Sequence, residues 1–225
     1  MTSMLTDYEG FLARVEDLGF MALSTILPGF PSLGGETPPH LWHTGLETDP
    51  WRWKDRAAEE KHLAYGCILG GHKGFITQRM YPIFYAAYHP ESSMPERWGE
   101  GTINYTTWRL WQLFEESGML NISQVRHTLG AGKQGAGAVD ASIRQLHHEF
   151  YLTVDGNDRK ISSAGKLYGW PVIRYCRVRD WAPAGWLDGA EDWPAKEARA
   201  LILADGTVMA VGVKSQDLAK KLGFL

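Results

Sequence analysis

Apolar residues near the start of the chain repeat at helical spacing, with Phe11, Leu12, Val15 and Leu18 on one stripe. Thr6 followed by Glu9 predicts a capping box at the head of that helix, and Gly19 fits the position just past its end. Pro and Gly are dense between Leu27 and Pro39, which predicts a loop. Asp49-Pro50 predicts an N-cap with Pro at the first helical position. That helix is expected to run to about Leu69, where Gly70-Gly71 stops it. A further helix is predicted over Tyr81 to Tyr88, ending before Pro90, and residues 89–104 read as a linker.

The clearest pattern follows. Thr107 to Ser117 carries Trp108, Leu110, Trp111 and Phe114 at helical spacing and is closed by Gly118. Asn121 or Ser123 can cap a second short helix, on which Ile122, Val125 and Leu129 repeat. After the glycine-rich turn Gly130 to Gly137, Val139, Ile143, Leu146 and Phe150 mark a third helix. Tyr151 to Val154 alternates like a strand, Asp155-Gly156-Asn157-Asp158 predicts a hairpin turn, and Arg159 to Ser162 returns. Three helices followed by a basic hairpin describe a winged helix, a variant of the helix-turn-helix. In the tail we expect a helix near Pro194 to Ala200, then a hairpin turning at Asp205-Gly206 between Leu201 to Leu203 and Val208 to Val213, then a helix capped by Ser215 and stopped by Gly223. The expected fold is mainly α (α+β): a helical N-terminal region over 1–104, a winged helix with short β hairpins over 105–182, and a helix-hairpin-helix extension over 183–225.

Composition narrows the class. Hydrophobic residues make up 44% and charged residues 22%, a globular balance rather than a disordered one. Ten Trp is rich, and Trp seeks a partner for its N–H at seams and grooves. No stretch reaches the roughly 20 apolar residues of a membrane span. Met1 to Glu9 holds two acids and no Lys or Arg, unlike a signal peptide, so a cytoplasmic location is expected. Cys67 and Cys176 read as buried thiols rather than a disulfide framework. The net charge of −3 is distributed unevenly, at −5 over 1–104, +3 over 105–182 and −1 over 183–225. The basic middle points to an anionic partner there.

If the third helix turns its apolar stripe inward, its other face offers Ala141, Arg144, Gln145 and His148. Lys133 and Gln134 precede its N-terminus, and Arg159 and Lys160 lie on the wing. Arg and Gln read base edges, while Lys and wing Arg hold phosphates, so these seven residues (Ala141 aside) are the candidate nucleic-acid contacts. Gly130-Ala-Gly-Lys-Gln-Gly135 matches a dinucleotide fingerprint literally, with Asp155 20 residues on. The preceding run, Ile122 to Leu129, has helical spacing and carries Arg126 and His127, which a buried parallel strand would not. Around Gly66 to Gly74 a phosphate loop fails, because Lys73 comes one residue late with no Ser or Thr after it. Asp55, Glu59 and His62 would share a face of the predicted 50–69 helix and are the catalytic candidates, although Lys54, Arg56 and Lys61 beside them suit a solvated face. Adjacent His147 and His148 point to different faces, and no metal site or cofactor is expected.

Two stretches carry a family resemblance. One is Asp49-Pro-Trp-Arg-Trp-Lys-Asp-Arg-Ala-Ala-Glu-Glu-Lys61, continuing through Ala64-Tyr-Gly66 to Gly70-Gly-His-Lys-Gly-Phe75. The other runs from Trp108-Arg-Leu-Trp-Gln-Leu-Phe-Glu115 to Tyr168-Gly-Trp-Pro171. Both resemble the AlkZ-related small bacterial proteins, which sit beside the winged-helix alkylpurine and crosslink DNA glycosylases. The resemblance implies a winged helix and a role at DNA, including damaged duplex. It carries over no catalytic residue, because the glycosylases' motif of Gln, an apolar residue, then Gln or Asp is absent from this sequence. The expected function is a DNA-binding protein without that motif. Two alternatives are a hydrolase acting on a modified base or nucleotide and a protein-interaction module.

Overall fold

The computed structural model describes residues 4–132, 134–161 and 167–225, with the backbone alone at 160, 161, 167, 168 and 170. Among them are eleven α-helices and two three-stranded antiparallel sheets, a mixed α+β fold. They form two compact units, Met1–His89 with Ala182–Leu225, and Pro90–Trp181.

The first unit opens with α1 (Tyr8–Leu18), which buries Tyr8, Phe11 and Val15. Its N-cap is Asp7 rather than Thr6, with the carboxylate accepting from the Gly10 N–H at 2.8 Å. Gly19, at φ 88°, ends the helix and leads into β1 (Phe20–Ala22). A short α2 (Leu33–Glu36) precedes α3 (Pro50–Glu59), which starts at Asp49-Pro50 as expected. It stops about ten residues early. Lys61 takes φ 58°, and residues beyond it form β2 (Ala64–Leu69) and β3 (His72–Ile76), joined through Gly70-Gly71. Two apolar runs around a Gly-Gly pair are a hairpin signal, and here it outweighs helical continuity. The sheet order is β1-β3-β2, so the expected helical N-terminal region contains a sheet. Then α4 (Tyr81–Tyr88) follows at its predicted bounds.

In the second unit, the stretch read as a linker contains α5 (Met94–Gly99), headed by a Ser93–Glu96 capping box. Next, α6 (Tyr105–Ser117) buries Thr107, Leu110 and Phe114, while Trp108 and Trp111 fall on its half-buried flank. After β4 (Met119–Asn121) come α7 (Ile122–Thr128), capped by Asn121, and α8 (Ala136–His148). The long strands β5 (Leu152–Ile161) and β6 (Leu167–Arg177) and a turn of helix, α9 (Val178–Trp181), complete it. The sheet order is β4-β6-β5. Leu110, Phe114, Val125, Val139, Ile143, Leu146 and Leu152 form the core. The hairpin is longer than expected. β5 continues through Asp155 to Asp158 with irregular register, Lys160 pairs with Tyr168 and Ile161 with Leu167, and residues 162–166, with the expected return through Ser162, lie outside the described residues.

The tail returns to the first unit. The expected hairpin is instead one helix, α10 (Ala195–Met209), and Asp205-Gly206 lies inside it. Gly206 is there for packing rather than turning: a Cβ would come within 2.6 Å of Leu218 Cδ2. Leu218 lies on α11 (Ser215–Lys221), which is followed by Gly223 at φ 71°. At the β2–β3 turn, a Cβ on Gly70 would lie 2.5 Å from Leu222 Cα, and the Tyr88 hydroxyl donates to the Leu222 carbonyl at 2.8 Å. No described helix is long and apolar enough to cross a membrane. Cys176 is buried, Cys67 is half-buried, and no disulfide joins them.

Candidate nucleic-acid interface

The inner side of α8 is both apolar and polar. Thr107 Oγ1 on α6 lies 3.0 Å from Ser142 Oγ and 3.2 Å from Gln145 Oε1. Gln145 Nε2 donates to Glu149 Oε1 at 3.1 Å, and Glu149 accepts both arms of the Arg97 guanidinium at 2.7 and 2.9 Å. Gln145 is therefore turned into the helix pair rather than standing on the open face. His148 is half-buried, and burial pushes its pKa below the ordinary histidine value. The exposed residues of α8 are Gly137, Ala138, Ala141 and Arg144, with Gln134 exposed just before it. This face is lined by small side chains around one cation.

On the hairpin, Arg174 of β6 reaches across to β5. Its Nε donates to Asp155 Oδ2 at 3.0 Å and its Nη1 to Asp158 Oδ1 at 2.8 Å. Asn121 Nδ2 donates to the other Asp158 oxygen at 2.8 Å, tying the head of α7 to the strand. Sequence reading missed Arg174, because its partners become visible only once the β5–β6 register is known.

The same habit runs through the unit. Arg126 holds Asp140, Arg177 holds Asp180 and Glu115, Arg179 also holds Glu115, and Arg97 holds Glu149. Six carboxylates, at 115, 140, 149, 155, 158 and 180, are thus engaged by arginines of their own unit. Arg144 on α8 and Arg159 on β5 are exposed and make no ion pair among the described residues. Lys133 and the Lys160 side chain lie outside the described residues.

The catalytic candidates do not assemble. Asp55 is ion-paired with Lys54, whose buried amine sits 4.3 Å from the Trp51 ring centroid. Glu59 is exposed at the last turn of α3, and His62 lies past the helix end, 3.5 Å from Glu60. The expected shared face needed a helix running to Leu69. Among the described residues no three His, Cys, Asp or Glu side chains are grouped to hold a metal ion. The Gly130 to Gly135 run follows helix α7, not a strand, and the Gly66 to Gly74 run is the β2–β3 hairpin.

The arrangement is that of a mixed α+β protein whose Pro90–Trp181 unit runs helix, strand, helix, helix, strand, strand between two short helices, α5 and α9, with exposed arginines on α8 and on β5. The particular family is given by a family model described as AlkZ related, which matches residues 5–223, nearly the whole chain: the chain belongs to the AlkZ-related family. No curated protein and no solved structure matches it.

Proposed function

We propose that this protein binds DNA through a winged helix formed by α6 to β6, with α8 entering the groove and the β5–β6 hairpin as the wing. The observation that carries the reading is that α8 and the hairpin, where the unit's acids at 140, 155 and 158 are each held by an arginine, present Arg144 and Arg159 exposed and without an ion pair among the described residues. An anionic polymer is the partner such leftover cations suit. The order of elements and the β4-β6-β5 sheet fit the winged helix, and the small residues on α8 permit close approach to a groove floor. Kinship with the AlkZ-related family supports a DNA glycosylase-like ancestry. The Gln–apolar–Gln/Asp motif is absent, and no catalytic residue is assigned.

Fluorescence anisotropy of a labelled duplex tests the reading. Binding should weaken steeply as salt rises. A variant carrying Lys133, Arg144, Arg159 and Lys160 changed to Ala should lose most of its affinity at low salt. Binding indifferent to salt, or unchanged in that variant, would exclude this face.

A further inference from the structure

The Pro90–Trp181 unit carries a run of stacked rings. Trp111 and Trp108 on α6 stack at a centroid distance of 5.1 Å, with planes 24° apart. Trp108 in turn stacks on Trp98 of α5 at 5.6 Å and 6°. Trp98 then meets Tyr105, at the head of α6, at 6.3 Å and 53°. Exposure grows along the run. Trp111 and Trp108 are half-buried against the core, Trp98 is 39% exposed and Tyr105 is 65% exposed. The inner rings serve packing. The outer two leave ring surface in water and meet each other tilted rather than stacked.

We propose that Trp98 and Tyr105 form a stacking site for a single unpaired nucleobase. A flat ring is what extends a stack of flat rings, and every base offers a π face. A base also arrives with a phosphate, and an exposed cation lies on the same helix as Tyr105. Arg109 lies four residues after Tyr105 on α6, one turn along the same face, and makes no ion pair among the described residues. Two acids lie close in sequence. Glu96 Oε2 is occupied by the Ser93 N–H and hydroxyl at 2.8 and 2.7 Å, while Glu100 remains at the end of α5. With two acids against one free arginine, the site suits the uncharged face of a single base rather than a long charged strand. This site rests on the DNA-binding reading above but uses none of its residues. It would take a base already displaced from a duplex, where the cost of unstacking is lowest.

The test uses the full chain and three labelled DNAs at one salt concentration: a paired duplex, the same duplex with a single bulged thymine, and an oligothymidine strand. The native protein should prefer the bulged duplex to the paired one by about tenfold, the scale of one base–aromatic stack. Changing Trp98 and Tyr105 to Ala should erase the preference and leave affinity for the paired duplex intact. Tyr105→Ala alone, at a side chain mostly in water, should remove part of it without a folding cost. Duplex binding with no preference for the bulge, or a preference that survives both substitutions, overturns the site and leaves the winged-helix reading standing. Binding to none of the three DNAs overturns both. A dimer, seen by sedimentation, that dissociates in the double variant while DNA preference is unchanged would make the rings an interface between copies and overturn the proposal.

Discussion

Arg97 and Glu149 face each other through two parallel hydrogen bonds, at 2.7 and 2.9 Å, with side chains only 12% and 16% exposed. The pair ties α5 to the C-terminal end of α8, and the Glu149 contact holds the guanidinium above its ordinary pKa. Removing one partner of such a pair leaves the other charge stranded. Arg97→Ala should lower unfolding stability by about 2 kcal/mol, read from the urea midpoint. Arg97→Lys should recover little, because a single ammonium cannot make both bonds.

Asp49 caps α3 and also gathers the loop before it. Its carboxylate accepts from Trp51 N at 2.9 Å, His43 N at 3.0 Å and Gly45 N at 2.9 Å. Asp49→Ala should cost about 1–2 kcal/mol, and faster amide exchange should appear at residues 43–45. Protection unchanged at those amides would mean that the loop is held by something else.

Acid should weaken the fold in two steps. His72 and His148 are both held below the ordinary histidine value by burial, with the charge of Lys221 adding to the effect at His72. A histidine kept neutral by the fold binds its proton more readily when unfolded. Stability is therefore full above about pH 6.5 and falls as pH drops below it. Asp49 acts lower: burial would raise its pKa, but three backbone N–H donors hold it down, so its contribution is lost only as pH falls below about 4. The melting temperature should drop between pH 7.5 and 5.5, and His148→Gln should shrink that drop. A flat profile over the interval would contradict the histidine step.

Gly70 and Gly71 provide an internal control. Both have positive φ, at 59° and 84°, but only at Gly70 would an added Cβ meet backbone, 2.5 Å from Leu222 Cα, while a Cβ on Gly71 meets nothing within 4 Å. Gly71→Ala should cost about 1 kcal/mol, the left-handed conformation alone. Gly70→Ala should cost at least about 1 kcal/mol more and should detach the α11 end, seen as new proteolysis there.

Local signals were legible in the sequence where local chemistry decides. Asp49-Pro50, Gly19, Asn121 and Gly118 each mark a helix end the structure keeps. Errors arose where a residue answers to a distant partner. Gly206 looked like a turn because its reason, Leu218, lies on another helix. Asp155-Gly156-Asn157-Asp158 looked like a hairpin tip because Arg174, which holds both acids within a strand, is 16 to 19 residues away. The helical spacing of Trp108, Leu110, Trp111 and Phe114 did not say which of the four point inward, and α6 gives Thr107, Leu110 and Phe114 the inward places. For the proposed interface, Arg144 and Arg159 were chosen from position alone, and both are exposed. That Gln145 turns inward could not be, since Thr107 and Glu149 reach it from separate elements.

Residues 182–225 complete a unit begun by residues 1–89, and the Pro90–Trp181 unit is spliced between them. The second unit has its whole core in hand once Trp181 has emerged from the ribosome, whereas the first must wait, with Gly70 and Tyr88 exposed, until Leu222 is made. The part synthesised first is thus the last able to close. A premature stop in α10 would leave a folded insert between the loose ends of an unfinished host.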